Sequence, residues 1–393
     1  MVTRLNPPSE YATFMELEHW QPLHKIISPD AFFDPKDPWY PFFSALYVKT
    51  QKLYQKVPMR KNGENPFVHP LNVVRNLRKA GVIEGITLCA GLLHDVIEEE
   101  VDIHKRERKI LKTKEGRALL DRYEEKVFTR FEKEVLHLCA HAHVQANGCH
   151  QIIETLHLLT KHKRHFYYKY ISTIFNCPDA VRKEMALQVK LADRMHNILS
   201  VDCFNGEEKI YQCFKNLFIL NNTKKFLLDS DQKGIKNHAA TRKLFKKCSK
   251  ATYDAFLEIC KFASPKEIAE VQAMVELAFH KFAIEKDGLR TVTDVNEQEI
   301  HPLRLFQGVV RKYDARLHHE YELFETLKKQ EREYCRKFFT NYKFTPLQLQ
   351  ALIDYKDAYA LKEVMARLLY DPSYVISGFL VQELSREGRI RKQ

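Results

Sequence analysis

Glycine and proline are scarce in this chain of 393 residues, which has 12 glycines and 15 prolines, and long apolar runs are missing. Such low counts favour a compact, mostly helical protein and argue against extensive disorder. No apolar stretch approaches the length that crosses a bilayer, and residues 1–10 lack the pattern of a signal peptide. We therefore expect neither a membrane span nor a secretory leader.

The nine cysteines are scattered, and no two of them form a CxxC pair. In a chain of this length, such cysteines are typical of reduced, buried thiols in a cytoplasmic protein. We therefore predict a cytoplasmic location and no disulfide.

Basic residues outnumber acidic ones, and the formal net charge is +12. An excess of positive charge favours anionic partners such as nucleotides, nucleic acid or acidic lipid, although a lysine-rich solvated surface explains it equally well. The lysines are dispersed among acids and no nucleic-acid motif is recognisable. We therefore do not expect a nucleic-acid partner, and only a steep salt dependence of binding would revive that hypothesis.

The stretch LLHDVIEE, residues 92–99, combines apolar residues with groups that bind metals. His94 and Glu98 are four residues apart, as are Asp95 and Glu99, so the spacing predicts that each pair shares one helix face. Burial of the two leucines would place His94 and Asp95 at the wall of a pocket. An imidazole nitrogen beside a carboxylate oxygen is half of a metal site.

Two further residues complete a candidate ligand set. His69 follows the loop sequence RKNGENPFV and precedes Pro70, which suits the first turn of a helix. Asp193 lies within KLADRMHN, near the end of another predicted helix. Taken alone, His69 would be an ordinary core or capping histidine and Asp193 the partner of a neighbouring cation. Two imidazoles and two carboxylates together suit a divalent ion such as Mn, Fe or Zn.

Apolar residues recur at helical spacing along most of the chain, so we predict an all-α fold. The predicted parts are an irregular arm anchored by Trp20 and Trp39 (1–40), a helical domain (41–225) with a charged, histidine-rich insertion (about 101–165), and a helical C-terminal extension (226–393) with a linker at 286–301.

The segments HP, LLHDVIEE and VKLADRMHN together resemble the HD-domain hydrolases. The flanking sequences RKNGENPFVHP and KLADRMHNILS are similar to those of one branch, the bifunctional Rel/SpoT alarmone enzymes and the small alarmone hydrolases. The resemblance covers residues 40–225 and implies an HD-domain helical fold. It also implies a guanine nucleotide substrate, with removal of the 3′-pyrophosphate of (p)ppGpp to give GDP or GTP.

The resemblance assigns a role to each matching residue. The implied roles are Mn²⁺ binding for His69, His94, Asp95 and Asp193; handling of the attacking water for Glu98 and Glu99; and nucleotide binding for Arg60, Lys61, Asn197 and Ser200. Elementary chemistry agrees, because hydrolysis of a pyrophosphate ester needs a cation, a proton acceptor and basic groups for the phosphates.

Several positions depart from the family pattern. Glu99 replaces an aspartate, Phe67 stands where a tyrosine is usual, and the distance along the chain from Asp95 to Asp193 is long, which predicts the insertion. Beyond Phe226 nothing resembles the synthetase or regulatory domains of the long alarmone enzymes. We therefore do not expect alarmone synthesis.

Three alternatives stay open at this point, and the sequence leaves the oligomeric state undetermined. The first is hydrolysis of another phosphoester, by an NADPH phosphatase, a nucleotide pyrophosphohydrolase or a dinucleotide phosphodiesterase. For this alternative His137 and His141, four residues apart, are candidates for a second metal, although exposed histidines on an inserted helix are the favoured interpretation. The second is a non-catalytic nucleotide-sensing module; the retention of all four ligands and both glutamates argues against it. The third is the nucleic-acid hypothesis above.

Overall fold

The computed structural model describes residues 16–111, 113–163, 165–235, 237–265, 267–285 and 302–385. In these ranges the fold is all-α, as predicted, and contains no β-strand. The first nine helices are α1 (Tyr40–Tyr54), α2 (Val68–Ala80), α3 (Gly85–Leu93), α4 (Val96–Glu107), α5 (Lys114–His141), α6 (Ala146–Leu159), α7 (Tyr167–Phe175), α8 (Ala180–Leu199) and α9 (Gly206–Gln232). They are followed by α10 (Ala239–Ala263), α11 (Ala269–Glu285), α12 (Pro302–Leu317), α13 (Tyr321–Phe338) and α14 (Pro346–Tyr370). The predicted linker at 286–301 lies outside the described residues.

Three mutually packed helices, α2, α3 and α8, bring distant parts of the sequence together. Helix α2 ends before Gly81, whose φ of 98° is a left-handed conformation that favours glycine and stops the helix there. Helix α8 begins after Asp179, whose side chain accepts a hydrogen bond from the backbone N–H of Arg182 at 2.9 Å.

The chain turns between α3 and α4, at His94 and Asp95. Helix α3 ends at Leu93, and Asp95 is the N-cap of α4, with its carbonyl accepting from Glu99 N–H at 2.8 Å. The prediction that His94 and Glu98 share one helix face is therefore wrong, since the two residues lie on either side of the turn. The break places His94 and Asp95 where two helices meet.

The charged, histidine-rich segment forms α5 and α6, and α6 packs against both α3 and α8. Helix α5 is not wholly solvated as the sequence predicts, because side chains such as Phe131 and Val135 are buried. Cys139 and Cys149 are joined as a disulfide between these two helices, which contradicts the prediction that every cysteine is a free thiol. The other seven cysteines are free.

One hydrophobic cluster extends from Leu17 in the N-terminal arm to Leu384 near the C-terminus. Helix α10 of the extension packs against α8, α9 and α14, so the extension covers the helix that carries Asp193. The predicted boundary at residue 225 falls inside α9. Asn221 and Asn222 of α9 bind the C-terminal segment: the Asn221 amide donates to the carbonyls of Ile376 and Phe379, each at 3.1 Å.

The arm is anchored as the sequence suggests, with Trp20 buried and Trp39 packed on Phe42 at a ring distance of 6.0 Å. None of the described helices is long and apolar enough to cross a membrane.

Candidate metal centre

Four polar side chains from distant parts of the sequence converge where α2, α3 and α8 meet: His69, His94, Asp95 and Asp193. One ligand atom from each lies within 4.8 Å of the others. The Nε2 atom of His69 is 3.1 Å from Nε2 of His94 and 3.3 Å from a carboxylate oxygen of Asp95. Two imidazole nitrogens and two carboxylate oxygens at such distances form a donor set for a divalent cation.

The second nitrogen of each histidine is held by a partner, which fixes the ring. His94 Nδ1 lies 2.8 Å from the carbonyl oxygen of Gly91, and because a carbonyl only accepts, Nδ1 carries the proton. Burial opposes protonation of His94, but the carboxylates of Asp95 and Asp193 raise its pKa to about 9, so Nε2 would give up its proton and present its lone pair when a cation binds. His69 Nδ1 lies 2.8 Å from Nδ1 of His196, and the same arrangement follows if His69 donates there.

His196 is suited to accept that proton because it is neutral. Burial, together with the nearby His69 and Arg60, holds the pKa of His196 well below its usual range. Its Nε2 atom is buried without a hydrogen-bond partner among the described residues. The donor set and its fixed rings thus fit a divalent cation.

The two carboxylates of the cluster are ionised in spite of their burial. Burial favours the neutral acids, but Lys190 Nζ lies 2.7 Å from Asp193 and holds the pKa of that carboxyl well below its usual range. The imidazoles of His94 and His69 do the same for Asp95. Asn197 Nδ2 also donates to Asp193 at 2.6 Å, and so orients the carboxylate.

Glu98 and Glu99 lie on the first turn of α4, beside the cluster. Burial and the negative charge of Asp95 raise the pKa of both carboxyls, that of Glu99 to about 7. Glu98 accepts a hydrogen bond from the backbone N–H of Lys161 at 2.7 Å. Carboxyls with raised pKa values next to a cation site are suited to proton transfer near neutral pH.

Of the four residues assigned to nucleotide binding, Asn197 contacts the cluster and Arg60 contacts Asn197. A guanidinium nitrogen of Arg60 is 3.4 Å from the side-chain oxygen of Asn197. The side-chain nitrogen of Asn197 in turn donates to Asp193. Lys61 pairs with Glu208 at 2.9 Å and lies 4.6 Å from the centre of the Phe204 ring. Ser200 follows Asn197 by three residues, at the C-terminal end of α8. Phe67, by contrast, is buried between the rings of Tyr47 and Tyr54.

Sequence reasoning missed the residues that support the ligands. Lys190 and His196 both occur in the segment VKLADRMHN, three residues on either side of Asp193, so helical spacing places them on its face. Lys161, whose backbone N–H donates to Glu98, lies in no sequence motif that would have identified it. Tyr54 was also missed; its hydroxyl is buried without a described partner, and burial together with Asp95 and Glu99 raises its pKa.

His137 and His141 lie on the exposed face of α5, with ring centres 4.4 Å apart. Among the described residues, the only group of three or more metal-binding side chains is the four-residue cluster above. Among the described residues, His137 and His141 thus have no third metal-binding side chain beside them. We keep the interpretation that they are exposed histidines rather than a second metal site.

Residues 67–198 match the family model of the HD domain, and this range includes all four residues of the cluster. No curated protein sequence matches the chain. Residues 67–198 are therefore similar to HD domains, which bind divalent metals, and the match supports a metal-dependent phosphohydrolase activity for this part of the chain.

Proposed function

We propose that this protein is an alarmone hydrolase of the Rel/SpoT type, which removes the 3′-pyrophosphate of (p)ppGpp to give GDP or GTP. The observation that carries the proposal is the four-ligand cluster, with Glu98 and Glu99 on the helix turn that follows Asp95 and with Asn197 in contact with both Asp193 and Arg60. That arrangement supplies a cation site, a proton acceptor and a nucleotide-binding edge in one place.

In this proposal His69, His94, Asp95 and Asp193 hold Mn²⁺, for which Fe or Zn are the alternatives. Such an ion, when bound, neutralises phosphate charge and makes water more acidic. The chain itself fixes the ligands, through Gly91 and His196 for the histidines and through Lys190 and Asn197 for Asp193.

Glu99 or Glu98 accepts the proton of the attacking water. Water adds to the phosphorus next to the 3′ oxygen, the bond between that phosphorus and the 3′ oxygen breaks, and pyrophosphate leaves. The 3′ oxygen takes a proton and becomes a hydroxyl. Because its pKa is about 7, Glu99 is basic enough to take a proton while still being ionised in part of the enzyme at neutral pH.

Arg60 and Lys61 bind the nucleotide, and Asn197 and Ser200 lie near the nucleoside. The guanidinium of Arg60 is suited both to stacking on a base and to pairing with phosphate. Lys61 is held by Glu208 in this conformation, so a substrate phosphate competes with that carboxylate for the ammonium.

The test is turnover of a substrate panel with Mn²⁺: ppGpp, pppGpp, NADPH, a cyclic dinucleotide and a dNTP. We expect release of pyrophosphate from ppGpp by the parent protein and none by Asp95→Ala. Release of orthophosphate from NADPH instead would favour the NADPH phosphatase. Binding of ppGpp without turnover by the metal-loaded protein would favour a sensor.

The domain organisation remains part of the proposal: an N-terminal arm (1–40), a hydrolase domain (41–225) with its insertion (about 101–165), and an extension (226–393). We also propose a cytoplasmic location, which the seven free cysteines support and the Cys139–Cys149 disulfide argues against.

A further inference from the structure

Lys215, on α9, is a half-buried cation that lies between two tyrosines. Its Nζ atom is 4.9 Å from the ring centre of Tyr211 and 5.9 Å from that of Tyr167. Within the described part of the chain, this ammonium has no carboxylate partner and no hydrogen bond. Burying a lysine in this way is costly unless an anion joins it.

The surroundings of Lys215 are positively charged. Burial and the nearby cations Arg194, Lys190 and Lys161 hold the pKa of Lys215 well below its usual range. Lys190 is balanced by Asp193, but the described partners of Arg194 are neutral: it donates to the side chain of Asn216 and to the carbonyl oxygen of Gln212 at 3.0 Å. Three cations thus lie near Lys215, against one carboxylate, that of Asp193, which acts in the opposite direction on its pKa.

The C-terminal extension reaches the same place. The guanidinium of Arg316, on α12, lies 4.2 Å from the ring centre of Tyr211, so Arg316 and Lys215 contact one aromatic ring. Arg316 is partly exposed and pairs with Glu207 at 2.9 Å. Glu207 also pairs with Lys328 of α13 at 3.0 Å. If Arg316 leaves Glu207 to bind another anion, Lys328 therefore still balances the charge of Glu207.

We propose that Lys215 and Arg316 form an anion-binding subsite for a second phosphate group of the substrate, beyond the phosphate that is hydrolysed. The C-terminal extension is then part of the substrate site. The substrate class is a molecule that carries phosphate groups at two positions. The inference rests on the proposed function, because it assumes that one phosphate group of the substrate is cleaved at the metal centre while the other binds to Lys215 and Arg316.

The first test is binding of inorganic pyrophosphate to the full-length protein in the presence of a chelator, measured by calorimetry. We expect the parent to bind, and Lys215→Met and Arg316→Met each to weaken binding by about tenfold, the effect of one charge-assisted contact. Arg316→Lys, which restores a cation, should recover part of the loss. These variants should keep the circular dichroism spectrum of the parent.

A matched control is Lys362→Met, because Lys362 also lies over a tyrosine, 4.2 Å from the Tyr359 ring centre, but pairs with Glu363. This variant should bind pyrophosphate as the parent does. A parent that does not bind, or an Arg316→Met variant that binds as tightly as the parent, overturns the proposal.

The second test separates this inference from the proposed function. With ppGpp and Mn²⁺, Lys215→Met and Arg316→Met should raise KM by about tenfold and change kcat less, because the contacts exist in both ground state and transition state. If the parent hydrolyses no alarmone but its binding of pyrophosphate depends on Lys215 and Arg316, the proposed function fails and the subsite stands. Turnover of ppGpp with an unchanged KM in both variants refutes the subsite alone.

Discussion

His196 determines which nitrogen of His69 faces the cluster. The two Nδ1 atoms are 2.8 Å apart, so one donates and the other accepts. Since a ligand needs its lone pair on the metal side, the working arrangement has His69 donating and His196 accepting. His196 is therefore a positioning residue: it orients His69 and is not itself one of the four ligands.

We expect His196→Leu to weaken binding of the divalent cation by about 10- to 100-fold, because the acceptor for His69 is lost. His196→Asn is the matched control, since the side-chain oxygen of asparagine can take the place of Nδ1. Calorimetric titration with Mn²⁺ measures both variants. Equal affinity in the leucine variant and the parent would show that the tautomer is fixed in another way.

A second prediction concerns Glu99, whose pKa burial and Asp95 raise to about 7. As a proton acceptor Glu99 must be ionised, so activity should fall as pH drops through this pKa and be full above it. A bound cation favours the ionised carboxyl and moves the midpoint lower. Glu99→Gln should lose about 10²- to 10⁴-fold in kcat and the acid limb of the pH profile.

Glu100→Gln is the control for this measurement, because Glu100 pairs with Arg130 of α5 and has no place in the proposed chemistry. It should keep the parental kcat and pH profile. A parental rate in Glu99→Gln would assign proton acceptance to Glu98.

The sequence identifies the ligands, since each stands in a motif, but not the residues that support them. Lys190 and His196 could be found by helical spacing from Asp193. Lys161 and Lys215 could not, because the sequence does not show whether a single lysine is solvated or buried. Only the packing of α6, α7 and α9 decides which lysines lie near the metal centre.

At the scale of the helix, the turn at His94 and Asp95 is the feature that spacing failed to predict. The sequence from Gly85 to Glu107 contains no proline, and its one internal glycine, Gly91, lies within the described helix α3 rather than at the turn, so the stretch has the pattern of one helix. The break comes from tertiary packing, which overrides local propensity. Where a glycine does end a helix, at Gly81, sequence and structure agree.

Gly85 provides a test of how α3 is positioned. A Cβ atom at Gly85 would lie 2.2 Å from the ring of Trp39, which is itself packed against Phe42. We expect Gly85→Ala to destabilise the protein by about 1–3 kcal/mol, the usual cost of forcing atoms into a packed core. Urea unfolding followed by circular dichroism measures it.

Gly206→Ala is the control, since its Cβ would meet nothing closer than Asp354, at 3.8 Å. That variant should unfold within about 0.5 kcal/mol of the parent, as surface substitutions do. Adding Trp39→Leu to Gly85→Ala should restore part of the loss by removing the clash. If Gly85→Ala is as stable as the parent, the ring of Trp39 moves freely.

At the scale of the whole molecule, the segment that matches the HD domain and the helices that follow it share one hydrophobic core. Buried side chains from Leu17 to Leu384 form one cluster, and α10 covers α8, the helix of Asp193. The all-helical fold was predictable from periodicity. The packing of the two parts against each other could not be predicted, because the apolar face of a helix does not identify the helix that will pack against it.

We therefore expect a fragment ending at residue 232 to be insoluble or molten, because it exposes the apolar faces of α8 and α9 to water. The chain should unfold in one transition, with the same midpoint for circular dichroism and for tryptophan fluorescence. The comparison is informative because both tryptophans lie near the N-terminus, whereas circular dichroism reports on all of the helices. A soluble fragment with a sharp thermal transition would show that the extension is a separate unit.

The closure of the C-terminal segment on α9 bears on how the chain is made. Asn221 and Asn222 accept hydrogen bonds from the backbone N–H groups of Ile376 and Val381, each at 2.7 Å. Because synthesis runs from the N-terminus, these amides stay without those partners until Ile376 and Val381 have left the ribosome, about 150 residues after α9. The packing around α9 is thus completed late in synthesis, and we expect its apolar surface to stay exposed until then.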